Sequence, residues 1–170
     1  MFDLKTLEDL SLLRESVDLE CKLAQGQSGL GEVPKDFWLT YSAMANTQGG
    51  VVLLGVREKA GVFSVAGLPD ADKLRRDVFN TANNPAKVSA NLLTDADVWV
   101  WEVAGKQVLV VRIAAAPRQV KPVFLNGQPL GNTYRRLQTV TAVATMRWSS
   151  ACWQSRWRAA ATRASWTNSG

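Results

Sequence analysis

The feature that constrains the fold most is a short apolar run in the first half of the chain. Residues 51–56 read Val-Val-Leu-Leu-Gly-Val and follow the turn residues Gln48-Gly49-Gly50 directly. A strand with one face in water alternates apolar and polar residues, whereas a strand buried on both faces is apolar throughout. The run therefore predicts a central strand in a sheet that other elements cover on both sides.

The rest of the chain up to Leu137 supplies the helices and strands for such a sheet. Apolar residues at helical spacing predict helices at 7–14, 36–46 and 70–82. Short apolar or alternating runs predict further strands at 17–23, 62–65, 88–93, 98–103, 108–113, 122–125 and 133–136. This order predicts one domain of the α+β (mixed α/β) class, with a mixed β-sheet flanked by two or three helices.

Residues 138–170 have a different character. They contain no Asp or Glu, and they scatter four tryptophans among Arg, Ser, Thr and Ala without helical or strand periodicity. Synonymous codons for residues 139–158, translated in a shifted frame, can encode an acidic, helix-periodic sequence without tryptophan. We expect a domain at 1–137 followed by an irregular basic tail at 138–170, disordered or loosely helical, which is out of frame in a truncated protein. The alternative is a genuine basic tail that binds nucleic acid or membrane.

The net charge of +5 does not by itself indicate a nucleic-acid partner. Up to Leu137 the chain has 16 Lys and Arg against 15 Asp and Glu, a net charge of +1, and the remaining four arginines lie in the tail. Any basic surface of the domain must therefore be local, as around 73–76 or 135–136.

Composition excludes several classes of site and location. The chain has no histidine and only two cysteines, Cys21 and Cys152, which argues against a zinc site and a disulfide framework. Carboxylate sites for Mg²⁺ or Mn²⁺ stay open. Because no apolar run reaches 18 residues and the N-terminus lacks a secretion signal, we expect a cytoplasmic protein without a membrane partner.

Two motifs lie beside predicted elements. E-S-x-x-L-E-x-K occupies 15–22, and A-x-A-N-T-x-G-G, followed by the apolar run and Gly-Val, occupies 43–56. Backbone amides and small polar groups gathered at the start of a strand suit the docking of phosphate oxygens. In the alternative interpretation the asparagine ends a helix and the glycines form the turn. The residues brought to that point are Asn46, Thr47, Gly49 and Gly50.

Together with a third motif, Gly-x-x-Tyr-Arg-Arg at 131–136, these motifs resemble the Schlafen AlbA-like family. The family patterns are approximately E-S-x-x-x-E-F-K, A-F-A-N-T-x-G-G-x-I-x-I-G-V and Y-x-R-x-G. The resemblance covers about residues 11–137. The sequence departs from the family at Cys21, where an aromatic residue is preferred, and at Arg57-Glu58, where an Asp-rich turn is common.

The resemblance implies nucleic-acid binding. In bacteria such domains typically lie at the N-terminus of ATP-binding transcriptional regulators, so we expect the DNA-binding domain of a regulator-like protein, with RNA open as the partner. Basic side chains would contact phosphates, and Tyr134 would stack on a base, although a tyrosine in a strand is also typical of a core. The candidate binding residues are Lys22, Asn46, Thr47, Gly49, Gly50, Arg57, Tyr134, Arg135 and Arg136.

The resemblance also implies an enzyme as the alternative. In vertebrate Schlafens a related domain contributes to tRNA and rRNA cleavage through three carboxylates, which correspond here to Glu15, Glu20 and, as the nearest acid after the Gly-Val strand, Glu58. Three carboxylates can bind Mg²⁺ or Mn²⁺ and so activate water for a metal-dependent ribonuclease. The competing interpretation is a surface ion pair between Glu20 and Lys22, with Arg57 neutralising the cluster.

A third functional class is an interaction or oligomerisation module. Trp99 and Trp101 lie two residues apart on one face of a predicted strand, which is typical of a core and also of a homodimer anchor. Exposed strand edges would favour this class.

Overall fold

The computed structural model describes residues 5–26, 31–137 and 140–143. Its elements follow one another in the order α-β-α-β-β-β-α, a 3₁₀ turn at Asp95–Asp97, and then four strands. The helices are α1 (Glu8–Ser16), α2 (Lys35–Asn46) and α3 (Ala71–Ala82). The strands are β1 (Leu19–Lys22), β2 (Gly50–Leu54), β3 (Val56–Lys59), β4 (Val62–Val65), β5 (Val98–Val103), β6 (Lys106–Ile113), β7 (Tyr134–Leu137) and β8 (Val140–Val143).

The main sheet has four strands in the order β1-β2-β6-β5. Strands β1 and β2 pair in parallel, whereas β2 with β6 and β6 with β5 pair antiparallel. Two further antiparallel pairs, β3 with β4 and β7 with β8, lie outside this sheet. The predicted α+β class with a mixed sheet and three helices is therefore confirmed.

The predicted central strand is buried on both faces. Val52 and Leu54 point into a core cluster that contains Phe37 of α2 and Leu74 of α3. Val51 and Leu53, on the other face of the strand, point into a second core cluster, and α1 and the β3–β4 pair cover this cluster. The sheet thus separates two cores, as the uninterrupted apolar run predicts.

Gly55 divides the predicted strand 51–56 into two strands in different sheets. Its φ is +100°, a conformation that favours glycine, and a Cβ at this position would lie 3.0 Å from Leu68. The backbone turns there, so Val56 begins β3 instead of continuing β2. Strands β3 and β4, joined by a turn at Ala60 and Gly61, form a two-stranded antiparallel unit that we call the ribbon.

Two strand predictions are wrong. Residues 88–93 and 122–125 make only isolated bridges, Val88 with Leu125 and Phe124 with Thr133. The hydroxyl of Tyr41 donates to the carbonyl of Ala90 and accepts from the amide of Leu92. A side chain therefore satisfies backbone groups that would otherwise hydrogen-bond to a neighbouring strand.

Strand β8 lies beyond Leu137, where no strand was predicted. It pairs with β7 in antiparallel register, Tyr134 with Val143 and Leu137 with Val140. The other residues of the predicted tail, 138–139 and 144–170, lie outside the described part of the chain. Among the described residues, no helix is long and apolar enough to cross a membrane.

Candidate nucleic-acid interface

A cleft of about 400 Å³ runs along the free edge of β1, and we call it the edge cleft. Strand β1 and the residues before it supply one wall, the end of α2 supplies another, and β3 and β7 each contribute one side chain. It therefore joins all three predicted motifs. Its polar lining consists of Arg14, Asp18, Glu20, Thr47, Gln48, Glu58 and Arg136.

Arg136 is the central cation of the edge cleft. Its Nε donates to Asp18 Oδ2 at 2.7 Å, and one terminal nitrogen donates to Asp18 Oδ1 at 3.0 Å and to Glu20 Oε2 at 2.7 Å. Its side chain is only 8% exposed. Burial by itself lowers the pKa of this guanidinium, but the hydrogen bonds to Asp18 and Glu20 outweigh that effect and raise it. Arg136 is thus engaged by two carboxylates, Asp18 just before β1 and Glu20 within it.

Lys22 is engaged in a similar way. Its ammonium lies 3.3 Å from Glu20 Oε1 and 2.6 Å from Asp36 Oδ2, and the side chain is 9% exposed. The predicted ion pair between Glu20 and Lys22 is present with Asp36 of α2 as a second partner, but it is largely buried and not on the surface as predicted.

Asn46 and Ser42, one turn apart on α2, hold the later part of the chain. The Asn46 amide donates to the carbonyls of Val123 and Tyr134, and its oxygen accepts from the amide of Val123 at 2.8 Å. Ser42 Oγ donates to the Val123 carbonyl and accepts from the Tyr134 amide. Asn46 is 5% exposed, so its polar groups are directed at the backbone and not at solvent.

The other residues of the second motif also have structural neighbours. Thr47 Oγ1 donates to the Ala43 carbonyl and accepts from the amide of Arg136, which fixes β7 against the end of α2. A Cβ on Gly49 would lie 2.5 Å from the carbonyl oxygen of Ile113, and one on Gly50 would lie 2.6 Å from that of Asp18. Both glycines therefore allow backbones to approach more closely than any side chain would permit.

The predicted carboxylates meet only in part. Glu20 and Glu58 both line the edge cleft, whereas Glu15 is exposed and lines an adjoining depression. Glu58 is paired with Arg14 of α1. Asp18, which sequence reasoning missed, is the third acid of the cleft. Asp18 lies two residues before Glu20. Because side chains of an extended chain alternate between its two sides, both carboxylates lie on the same side, and this spacing was visible in the sequence.

These carboxylates do not fit a divalent cation as they are arranged. Glu20 accepts from Arg136 and Lys22, Asp18 accepts from Arg136, and Glu58 accepts from Arg14. In residues 5–26, 31–137 and 140–143 no group of three acidic or cysteine side chains could hold a metal ion. The negative charge of the cleft is balanced by arginine and lysine.

The ribbon presents charge differently. Its burial alternates strictly, with Val56, Glu58, Phe63 and Val65 turned inward. The opposite face is exposed and carries Arg57, Lys59, Val62 and Ser64. Within the described part of the chain, neither Arg57 nor Lys59 forms an ion pair. Lys59 is a second candidate binding residue that sequence reasoning missed, although its position two residues after Arg57, on the same face of a strand, was visible in the sequence.

The remaining candidates lie near the core. Tyr134 is half-buried and packs against the first core cluster, and Arg135 is half-buried in the same strand. Trp101 is buried in the second cluster and Trp99 packs against it, which confirms the core interpretation of this pair.

Comparison with known proteins identifies the family. The family model described as Schlafen, AlbA_2 matches residues 15–142. The solution NMR structure of the N-terminal domain of a RecG-related protein from Nitrosomonas europaea, described as an ATP-dependent DNA helicase relative, matches with a TM-score of 0.56 and 29% identity. That match covers 84% of this chain and 95% of the other.

The crystal structure of the DIP2311 protein from Corynebacterium diphtheriae shows the same fold, with a TM-score of 0.51 and 22% identity over 77% of this chain. The match covers 25% of the DIP2311 chain, so the present chain spans about a quarter of that protein. No curated protein sequence matches. Since the family model extends over most of the chain and spans all three motifs, the chain belongs to the Schlafen AlbA_2 family.

Proposed function

We propose that this chain binds nucleic acid and that the exposed face of the ribbon makes the principal contacts. The observation that carries the proposal is a pair of cations, Arg57 and Lys59, that form no ion pair with any described residue and lie on a face whose other two residues are uncharged. Such side chains can neutralise backbone phosphates without first breaking an internal ion pair. A structural relative described as related to a DNA helicase is consistent with this function.

The edge cleft, with Arg136, and the nearby Lys22 of β1 are weaker candidates for the same role. Arg136 and Lys22 would have to leave Asp18, Glu20 and Asp36 before they could bind phosphate. That exchange would leave carboxylates unpaired beside a polyanion, which is unfavourable. The proposal therefore assigns these two cations to the fold and Arg57 to binding.

Fluorescence anisotropy with short labelled nucleic acids tests the proposal. The double variant Arg57→Ala, Lys59→Ala removes both cations, and we expect the slope of log affinity against log salt to fall by about 2 in magnitude. The matched control is Lys87→Ala, Arg118→Ala, which removes the same charges from exposed positions. Lys87 directly precedes Val88, and Arg118 lies two residues after Ala116. Val88 and Ala116 belong to the first core cluster, which lies on the opposite side of the sheet from the cluster that holds the ribbon. Equal losses in both double variants would refute a specific ribbon interface.

The nuclease alternative rests on one observation, the presence of Asp18, Glu20 and Glu58 in one cleft. Because all three are engaged by basic side chains, the geometry favours binding without cleavage. Incubation of the purified chain with tRNA or single-stranded RNA and Mn²⁺ tests the alternative. Cleavage that Glu20→Ala abolishes would establish an enzyme and overturn the preference for binding alone.

A further inference from the structure

We propose that the ribbon enters the major groove of duplex DNA and that Arg57 reads a guanine there. This inference rests on the proposed nucleic-acid function, and it adds which nucleic acid is bound and by what kind of contact.

The shape of the ribbon favours duplex DNA. It consists of two four-residue antiparallel strands, Val56–Lys59 and Val62–Val65. Its turn is tight, with Ala60 at φ +51° and Gly61 at φ +79°, and a Cβ on Gly61 would meet no atom within 4 Å, so the tip is unobstructed. The major groove of B-DNA is about 12 Å wide and admits a two-stranded ribbon. The major groove of duplex RNA is too deep and narrow for side chains to read.

The chemistry of the exposed face suits base edges as well as phosphates. Arg57 lies opposite Ser64 and Lys59 lies opposite Val62, so the four side chains form two adjacent cross-strand pairs. A guanidinium can donate two parallel hydrogen bonds to guanine O6 and N7, and a valine side chain can contact the methyl group of thymine. Val62 is 68% exposed, so its methyl groups are available for such a contact.

The inner face fixes the ribbon on the domain. Val56 is fully buried in the second core cluster, and Phe63 and Val65 pack against the same cluster. Glu58 is paired with Arg14 of α1. The outer face is therefore presented on a packed support, which limits the entropy lost when it binds.

The experiment begins with selection of the full chain's preferred sequence from a pool of randomised DNA duplexes. Dimethyl sulfate footprinting of the selected duplex then reports guanine N7 in the major groove and adenine N3 in the minor groove. Arg57→Lys keeps the charge but loses the bidentate fork, and Arg118→Lys is its matched control. We expect protection of a guanine N7 that Arg57→Lys abolishes, with affinity for the selected duplex falling about 10- to 100-fold and affinity for an unrelated duplex changing less than about twofold.

Several results would overturn this inference while nucleic-acid binding stood. They are protection of adenine N3 alone, equal or tighter binding of duplex RNA or single strands, and unchanged protection in Arg57→Lys. Circular dichroism and the melting temperature establish that this variant is folded. Absence of binding to DNA and RNA at low salt is the separate result that would refute the proposed function itself.

Discussion

The edge cleft and the ribbon meet at Glu58 and use similar residues in opposite ways. Arg136 in the cleft and Lys22 of β1 have side chains that are 8% and 9% exposed, and each is bound by two carboxylates. On the ribbon, Arg57 and Lys59 are exposed and unpaired among the described residues. A cation within a family motif can therefore stabilise the fold, whereas an exposed cation outside the motifs is available for binding.

The largest effect is expected at Asn46, which is 5% exposed and hydrogen-bonds to backbone groups of Val123 and Tyr134. Asn46→Ala removes three hydrogen bonds to backbone groups and leaves the amide of Val123 and the carbonyl of Tyr134 without their side-chain partner. We expect the free energy of unfolding, measured by urea denaturation, to fall by about 3–5 kcal/mol. As a control, Asn80→Ala at an exposed position of α3 should change it by less than about 0.5 kcal/mol. A stable Asn46→Ala variant with weakened DNA affinity would instead place this residue in the interface.

Arg136 should show the next largest effect. Arg136→Met removes a buried charge from Asp18 and Glu20, and we expect a loss of about 2–4 kcal/mol in the free energy of unfolding. Adding Asp18→Asn and Glu20→Gln should recover most of that loss, because no unpaired carboxylate then remains. DNA affinity of folded Arg136→Met should equal that of the wild type.

A different result for Arg136→Met would break the contrast between the two regions. If affinity and salt dependence both fell in the folded variant while the triple variant failed to regain stability, the cleft arginine would be a phosphate contact.

The sequence predicted the class of fold, the helices and the buried strand, because these depend on apolar periodicity. It predicted the strand at 51–56 as continuous, since nothing local showed that Gly55 would turn the chain away from the sheet. It predicted strands at 88–93 and 122–125, where side chains of Tyr41, Ser42 and Asn46 supply the bonds. These partners are 49 to 81 residues away in sequence, so no local pattern could reveal them.

The candidate site was predictable to a smaller extent. The three motifs do converge on one cleft, and the ion pair of Glu20 with Lys22 was foreseen. That Arg136 neutralises Asp18 and Glu20 depends on a contact across more than a hundred residues, and only the folded chain shows it. Whether a cation is paired or free is a tertiary property, which is why Arg136 and Arg57 could not be told apart from sequence.

Cys21 of β1 packs against the second core cluster, which also holds the ribbon, and gives a test by pH. Burial, with the charges of Glu58 and Glu20, raises the pKa of its thiol from 9.0 to about 12. Because the folded state holds the thiol proton more tightly than the unfolded state does, the thiol stabilises the folded state fully below about pH 9. This contribution to the free energy of unfolding is lost as the pH rises from about 9 towards 12. Between about pH 9 and 10 we expect stability to fall by roughly 1 kcal/mol per pH unit and Cys21→Ala to flatten that dependence. Above about pH 10 the buried Tyr41, whose pKa is raised to about 12, adds a dependence of the same sign. An unchanged profile in Cys21→Ala would mean that the thiol is not shielded between β1 and the ribbon.

The smallest effect is expected from the ion pair between Arg14 and Glu58, which is the ribbon's counterpart of the Arg136 cluster. Its side chains are 49% and 26% exposed, and a pair in water stabilises a protein by about 0–1 kcal/mol. Glu58→Gln should therefore cost less than about 1 kcal/mol, because Val56, Phe63 and Val65 still hold the ribbon on its core.

The same variant should bind DNA slightly more tightly. Removing a negative charge close to Arg57 and Lys59 should raise affinity about twofold at low salt, and the gain should vanish at high salt as the charges are screened. Glu102→Gln on the exposed face of β5 is the control for the change in net charge. A loss of about 2 kcal/mol or more together with weaker binding would show that the ion pair anchors the ribbon. The cleft and the ribbon would then both depend on paired charge, and the distinction between them would rest on Arg57 and Lys59 alone.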